Sequence, residues 1–286
     1  MQHCHGVSPS KRHHVGRKYS REPSRPRSAG KTYILAYFEN TDHSGEFVLV
    51  ISDPVHRVVD TWQAAGSPLQ EGIAWPRQRW IDAFPSHATM FASLPERLDR
   101  TAVRRACARG AASPVDAERS FLAVMAWGYG QVGYGPFRVR RLLGAAPDAG
   151  AVLQTAASTV ADGRPVAAYA GLGDRGIARL PRLGPAFGTK FLYFCSSPAA
   201  RPALILDRLV ARWLRENTDL ALNEIRWSVS TYTRYLETMF GWADELSVAA
   251  DELEACIFAA QAGLVASQWA PLSMAKLLSH GHGHPC

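Results

Sequence analysis

Leu180-Pro181-Arg182-Leu183-Gly184-Pro185-Ala186-Phe187-Gly188-Thr189-Lys190 is the stretch on which the fold turns. It reads as the end of an apolar helix, a Gly-bounded turn, and a second helix that starts at Thr189 or Lys190 and continues through Phe191-Leu192-Tyr193-Phe194. Such a turn points backbone N–H groups outward beside a helix N-terminus, a surface that accepts phosphate oxygens. Taken alone, a Gly/Pro turn between helices is usually just a turn.

Downstream, Leu206, Leu209, Val210, Trp213 and Leu214 recur at the spacing of a helix packed by one face, and Asp207 stands at its head, where an Asp side chain caps backbone amides. A second apolar stripe, from Leu246 to Leu264, predicts a longer helix over 245–264. Upstream, Trp127-Gly128-Tyr129-Gly130-Gln131-Val132-Gly133-Tyr134-Gly135-Pro136 is too rich in glycine for a regular helix and reads as a shaped loop, with Arg138 at the re-entry to helix. The predicted class is mainly α. Four segments are expected: a disordered basic arm (1–30), a small N-terminal α/β or α subdomain (31–110), a helical core (111–270) and a flexible His-rich tail (271–286).

The conjunction of these features resembles the helix–hairpin–helix DNA glycosylases, in their 8-oxoguanine glycosylase branch. There a Leu-Pro-x-x-Gly hairpin runs into Gly-Thr-Lys, and an Asp opens the next helix. Gly188-Thr189-Lys190 and Leu206-Asp207-Arg208 stand in those places, and Glu254-Ala255-Cys256-Ile257-Phe258 is similar to the helix whose phenylalanine stacks on the extruded base. The hairpin differs from the usual Gly-x-Gly, since Pro185-Ala186-Phe187 separates Gly184 from Gly188. The glycine-rich stretches also look like a bacterial subgroup that includes phage-defence glycosylases.

The resemblance implies Lys190 as nucleophile and Asp207 as its carboxylate partner. A lysine amine attacks C1′ only when unprotonated, and a helix N-terminus, burial and nearby positive charge would each favour that form. The base must be flipped out of the duplex into a pocket. Phe258 and Glu254, i and i+4 on one helix face, are the expected stacking and reading groups, with Trp127, Tyr235 and Trp242 as further pocket walls. An ionised Glu254 only accepts hydrogen bonds, which suits the amine of cytosine and equally the N1–H and N2–H of guanine. Gly184, Gly188 and Thr189 of the hairpin, Tyr129, Gln131 and Tyr134 of the glycine-rich loop, and Arg138 are the expected DNA contacts.

The expected partner is therefore double-stranded DNA carrying a modified base. A bulky phage cytosine such as glucosylated hydroxymethylcytosine leads, 8-oxoguanine follows, and a DNA-binding module without catalysis is the rival reading. Of the formal +7, Lys11, Arg12, Arg17, Lys18, Arg21, Arg25 and Arg27 against Glu22 put +6 in the first thirty residues, a polyanion-seeking composition. Cys4, Cys107, Cys195, Cys256 and Cys286 have no paired spacing, which suggests neither a disulfide framework nor a metal site. No iron–sulfur cluster is expected, because the four-cysteine pattern of other glycosylases of this fold is absent. His280, His282 and His284 would bind metal only adventitiously. No apolar run reaches the roughly 20 residues of a membrane span, so a soluble, cytoplasmic, nucleoid-associated monomer is expected.

Overall fold

A computed structural model describes residues 51–68, 70–173, 180–197 and 201–264. The basic arm, residues 31–50 and the His-rich tail lie outside these residues. The described residues belong to one compact unit, built of twelve α-helices and one minimal ribbon.

Toward the N-terminus lie α1 (Asp53–Ala64), β1 (Ile73–Ala74), α2 (Arg77–Ala83), α3 (Ala88–Ser93), β2 (Arg97–Leu98) and α4 (Arg100–Cys107). The two strands pair antiparallel, Ile73 opposite Leu98 and Ala74 opposite Arg97. The predicted boundary at residue 110 runs through a shared core, because Val103 and Cys107 of α4 are buried with the helices that follow.

Next come α5 (Pro114–Tyr129), α6 (Gly135–Leu143), α7 (Ala149–Ala161), α8 (Pro165–Leu172) and α9 (Pro185–Cys195). The hub is α5, which packs against α4, α6, α7 and α9. Ser113 caps it by accepting from the Asp116 amide at 3.1 Å, Pro114 fits the first helical position, and every residue from Phe121 to Trp127 is buried. A helix apolar on all sides belongs inside a core.

The structure corrects the sequence reading at this point. Trp127, Gly128 and Tyr129 form the last turn of α5, and the loop is confined to the residues between Gly130 and Tyr134. The helix stops where Gly130 takes φ +51°, a conformation open to glycine at little steric cost. Burial of Trp127 in the core outweighs the weak helix propensity of Gly128.

The chain closes with α10 (Arg208–Asn217), α11 (Val229–Leu246) and α12 (Ala250–Gln261). The helix predicted over 245–264 is thus the end of α11, a turn, and α12. Ser247 is left-handed at φ +54°, and the Val248 amide returns to the Ala243 carbonyl at 3.0 Å, a Schellman closure with serine where glycine is usual. α12 then lies against α1, α10 and α11, which turns one of its faces toward the centre of the molecule.

Candidate active site

α8 and α9 pack together, and the described part of their hairpin, Leu180–Gly184, ends with Gly184 exposed at the head of α9. Pro185 is the first residue of α9, so Gly188, Thr189 and Lys190 lie inside the helix rather than at its start. This corrects the expectation that a helix N-terminus would act on the Lys190 amine, since the dipole's influence fades within the first turn. It also removes Gly188 and Thr189 from the DNA-facing surface, because both are buried.

Thr189 has a different task. Its hydroxyl donates to the Leu206 carbonyl at 3.0 Å and accepts from the Leu206 amide at 3.2 Å. It anchors an extended strap, Ala203-Leu204-Ile205-Leu206, in which every residue is buried. Buried backbone away from a sheet needs partners for its polar groups, and side chains supply them. Tyr232 donates to the Leu204 carbonyl at 2.8 Å, Tyr235 donates to the Ile205 carbonyl at 2.7 Å, and the Ala203 amide donates to the Ser196 hydroxyl at 2.9 Å. Tyr235, expected in a pocket wall, is thus a strut behind the strap, and Trp242 is buried in the core of α11.

At the end of the strap Asp207 caps α10. Its Oδ1 accepts from the Leu209 and Val210 amides at 3.0 and 3.2 Å, while its Oδ2 accepts from Lys190 Nζ at 2.8 Å. One carboxylate therefore fills the capping role and the pairing role together. Burial pushes the Asp207 carboxyl up, but the Lys190 ammonium and the two amides outweigh it and hold the group below its ordinary value. Lys190 and Asp207 are both largely shielded from solvent.

Lys190 and Asp207 line a chamber of about 130 Å³ together with Trp127, Glu254 and Phe258. Five residues expected at the site thus meet in one cavity. The rest of the wall, Gln70, Ile73, Arg100, Gly128 and Ile205, was not singled out in the sequence. Gly128 matters sterically: a Cβ there would stand 2.9 Å from Phe187 Cε1 and 3.4 Å from Lys190 Cδ. Phe187 stacks on Tyr129 with ring centroids 4.5 Å apart, and its ring centre lies 6.0 Å from Lys190 Nζ. Tyr129 in turn meets Tyr134 edge-on at 6.1 Å. The exposed Gln131, Tyr134 and Arg138 lie on the far side of this aromatic chain, with the Arg138 guanidinium 5.3 Å from the Tyr134 ring centre.

The polar end of the chamber is a buried ion pair. Arg100 Nη1 lies 2.7 Å from Glu254 Oε2, and Glu254 is 1% exposed. Arg100 meets Oε2 alone, so Glu254 Oε1 and the Trp127 indole N–H are buried without a hydrogen-bonding partner among the described residues. Arg100 is otherwise well held, with Nε donating to Gln70 Oε1 at 3.1 Å and the guanidinium 5.2 Å from the Tyr193 ring centre. Burial pushes the Glu254 carboxyl up and Arg100 opposes it, with a net rise. Nothing in the sequence marked Arg100, since its partner Glu254 lies far along the chain, on α12.

Residues 66–258 match the family model described as "Putative 8-oxoguanine DNA glycosylase OGG-like protein". The chain belongs to this family. OGG-like proteins are DNA glycosylases by that description, so DNA is the macromolecule this chain acts on. No curated protein and no solved structure matches it. The fold of the OGG-like chain is mainly helical, as expected. No group of three or more His, Cys, Asp or Glu among the described residues is placed to hold a metal, and no described helix is long and apolar enough to cross a membrane. Cys107, Cys195 and Cys256 are buried free thiols.

Proposed function

We propose that the protein excises an oxidised guanine from duplex DNA, with Lys190 as nucleophile and Asp207 as its proton acceptor. The observation that carries this reading is the 2.8 Å contact between the two groups on the wall of a chamber of base-like size. Asp207 takes a proton from the Lys190 ammonium, the freed amine attacks C1′, and the N9–C1′ bond breaks with its electron pair leaving on the base, which accepts the proton at N9. The departing base is replaced by a covalent bond to Lys190, which opens to an imine.

Base identity follows from the unpaired polar groups. A guanine edge offers N1–H and N2–H donors to the two Glu254 oxygens and an O6 acceptor to the Trp127 indole N–H. Phe258, half-buried on the same wall, is the stacking surface. The other expected substrate, glucosylated hydroxymethylcytosine of phage DNA, carries a hexose. A chamber of about 130 Å³ is well below the roughly 300–1,000 Å³ of sites that enclose drug-sized ligands, so the size of the site favours the smaller base.

Incubation with duplexes bearing 8-oxoguanine or glucosylated hydroxymethylcytosine, followed by borohydride, tests the proposal. A protein–DNA adduct with the first duplex, lost in Lys190→Gln, is the expected result. Cleavage of the glucosylated duplex alone would overturn the substrate. Adduct formation by Lys190→Gln at the wild-type level would overturn the nucleophile.

A further inference from the structure

Glu254 is an awkward base reader. A carboxyl group this deeply buried tends to take up a proton, which turns one acceptor into a donor and inverts the pattern it offers to a base. The charged and titratable groups facing it from the packed elements are Arg100 on α4, Lys190 on α9, Asp207 at the head of α10, and Tyr232 and Tyr235 on α11. Lys190 and Asp207 are already paired and act on Glu254 with opposite signs, and the tyrosine hydroxyls are spent on the strap. Arg100, at 2.7 Å, is the one cation in contact with it among the described residues.

We infer that Arg100 is a specificity-determining positioning residue, whose ion pair with Glu254 keeps both carboxylate oxygens as acceptors on the chamber wall and so restricts the site to bases presenting two adjacent N–H donors. This rests on the reading of the chamber as a base pocket. The geometry suits the task. Arg100 is immobilised by Gln70 and by the Tyr193 face, and its Nη1 contact falls on Oε2 alone, which supplies charge while leaving Oε1 and a lone pair of Oε2 free to accept. An arginine aligned for a bidentate bond would occupy the same lone pairs the base requires.

The consequence has a definite sign. With Arg100 neutralised, Glu254 loses the one cation in contact with it among the described residues and binds a proton more readily, so its acceptor form is restored only as the pH rises. In Arg100→Gln, 8-oxoguanine excision should fall about tenfold or more near neutral pH, the scale of one lost bidentate base contact, and recover toward alkaline pH. Borohydride trapping on a preformed abasic site, which needs Lys190 but no base reading, should fall far less than excision does. Arg100→Lys, which keeps the charge, should restore much of the excision. Arg100→Gln combined with Glu254→Gln should lose the part of the alkaline recovery that Arg100→Gln adds over wild type, because the carboxyl group responsible for it is gone.

The ionisation itself can be read without catalysis. In the full-length protein labelled with ¹³C at glutamate carboxyl carbons, the signal missing from Glu254→Gln reports Glu254 directly. Ionised Glu254 near neutral pH in wild type, and protonated Glu254 in Arg100→Gln, are the expected results. The same titration curve in both proteins overturns the inference, as does an equal loss of excision and abasic trapping with an unchanged pH profile. If Arg100→Gln does not fold, Arg100→Lys carries the carbon titration and must leave Glu254 ionised. A protein that gives the expected titration but cuts no base would refute the proposed function and leave the electrostatic role of Arg100 standing.

Discussion

Thr189 and Lys190 are neighbours on α9 that reach the same short segment of chain in two ways, Thr189 by gripping the Leu206 backbone at 3.0 Å and Lys190 by meeting the Asp207 carboxylate at 2.8 Å. The grip fixes the register of the strap, and the register sets where Asp207 begins α10. The pair at the site is therefore held by a buried hydrogen bond one residue away on each side.

Thr189→Val is nearly isosteric and leaves the Leu206 amide and carbonyl buried without their partner. It should destabilise the fold by about 1–3 kcal/mol, the cost of unsatisfied buried groups, as measured by urea unfolding. DNA affinity should hardly change, because Thr189 does not reach the surface; a large loss of binding with unaltered stability would contradict the buried placement.

Asp207 has two duties that different substitutions separate. Asn caps helices about as well as Asp, so Asp207→Asn should keep α10 intact while removing the proton acceptor, with turnover falling by about a hundredfold or more. Asp207→Ala removes both duties and should cost about 1 kcal/mol more in stability than the Asn variant. Equal stability of the two variants would mean that the cap contributes nothing.

The Asp207 carboxyl is held below its ordinary value of 3.8. Its contribution to stability is thus fully present above that value and lost as the pH falls through the lowered one. The stability difference between wild type and Asp207→Asn should be constant above about pH 5 and shrink through the acid range, when unfolding is followed at a series of pH values.

Gly128→Ala places a methyl group where Phe187 and Lys190 now pass. The Phe187 ring must shift, and its stack on Tyr129 with it. The expected outcome is a fold weakened by about 1–3 kcal/mol, with slower excision from a displaced Lys190, measured as single-turnover rate against thermal stability. Unchanged excision would show that α5 and α9 can separate locally without moving the amine.

Much of the fold was legible from local signals. The stripe of Val210, Trp213 and Leu214 specifies α10, and Asp207 marks its head by a residue type suited to that position. The sequence reading erred where long-range packing overrode a local rule. Gly128 is helical because its neighbours fill the core, and Ser247 ends α11 in a left-handed turn usually given to glycine. α9 starts at Pro185, four residues before Thr189, since Gly188 looks like punctuation but lies buried inside the helix.

At the site, the sequence by itself singled out Lys190, Asp207 and the Glu254-Phe258 helix face as candidates, through residue types standing in the order of the family they resemble, and the structure places all four on one chamber. Only the tertiary structure decided that Tyr235 and Thr189 brace the strap, that Trp242 belongs to the core, and that Arg100 faces Glu254. These are matters of distance between segments far apart in the chain. Ion pairing and hydrogen bonding act over a few ångströms, and no spacing along the sequence records which side chains folding will bring within that range.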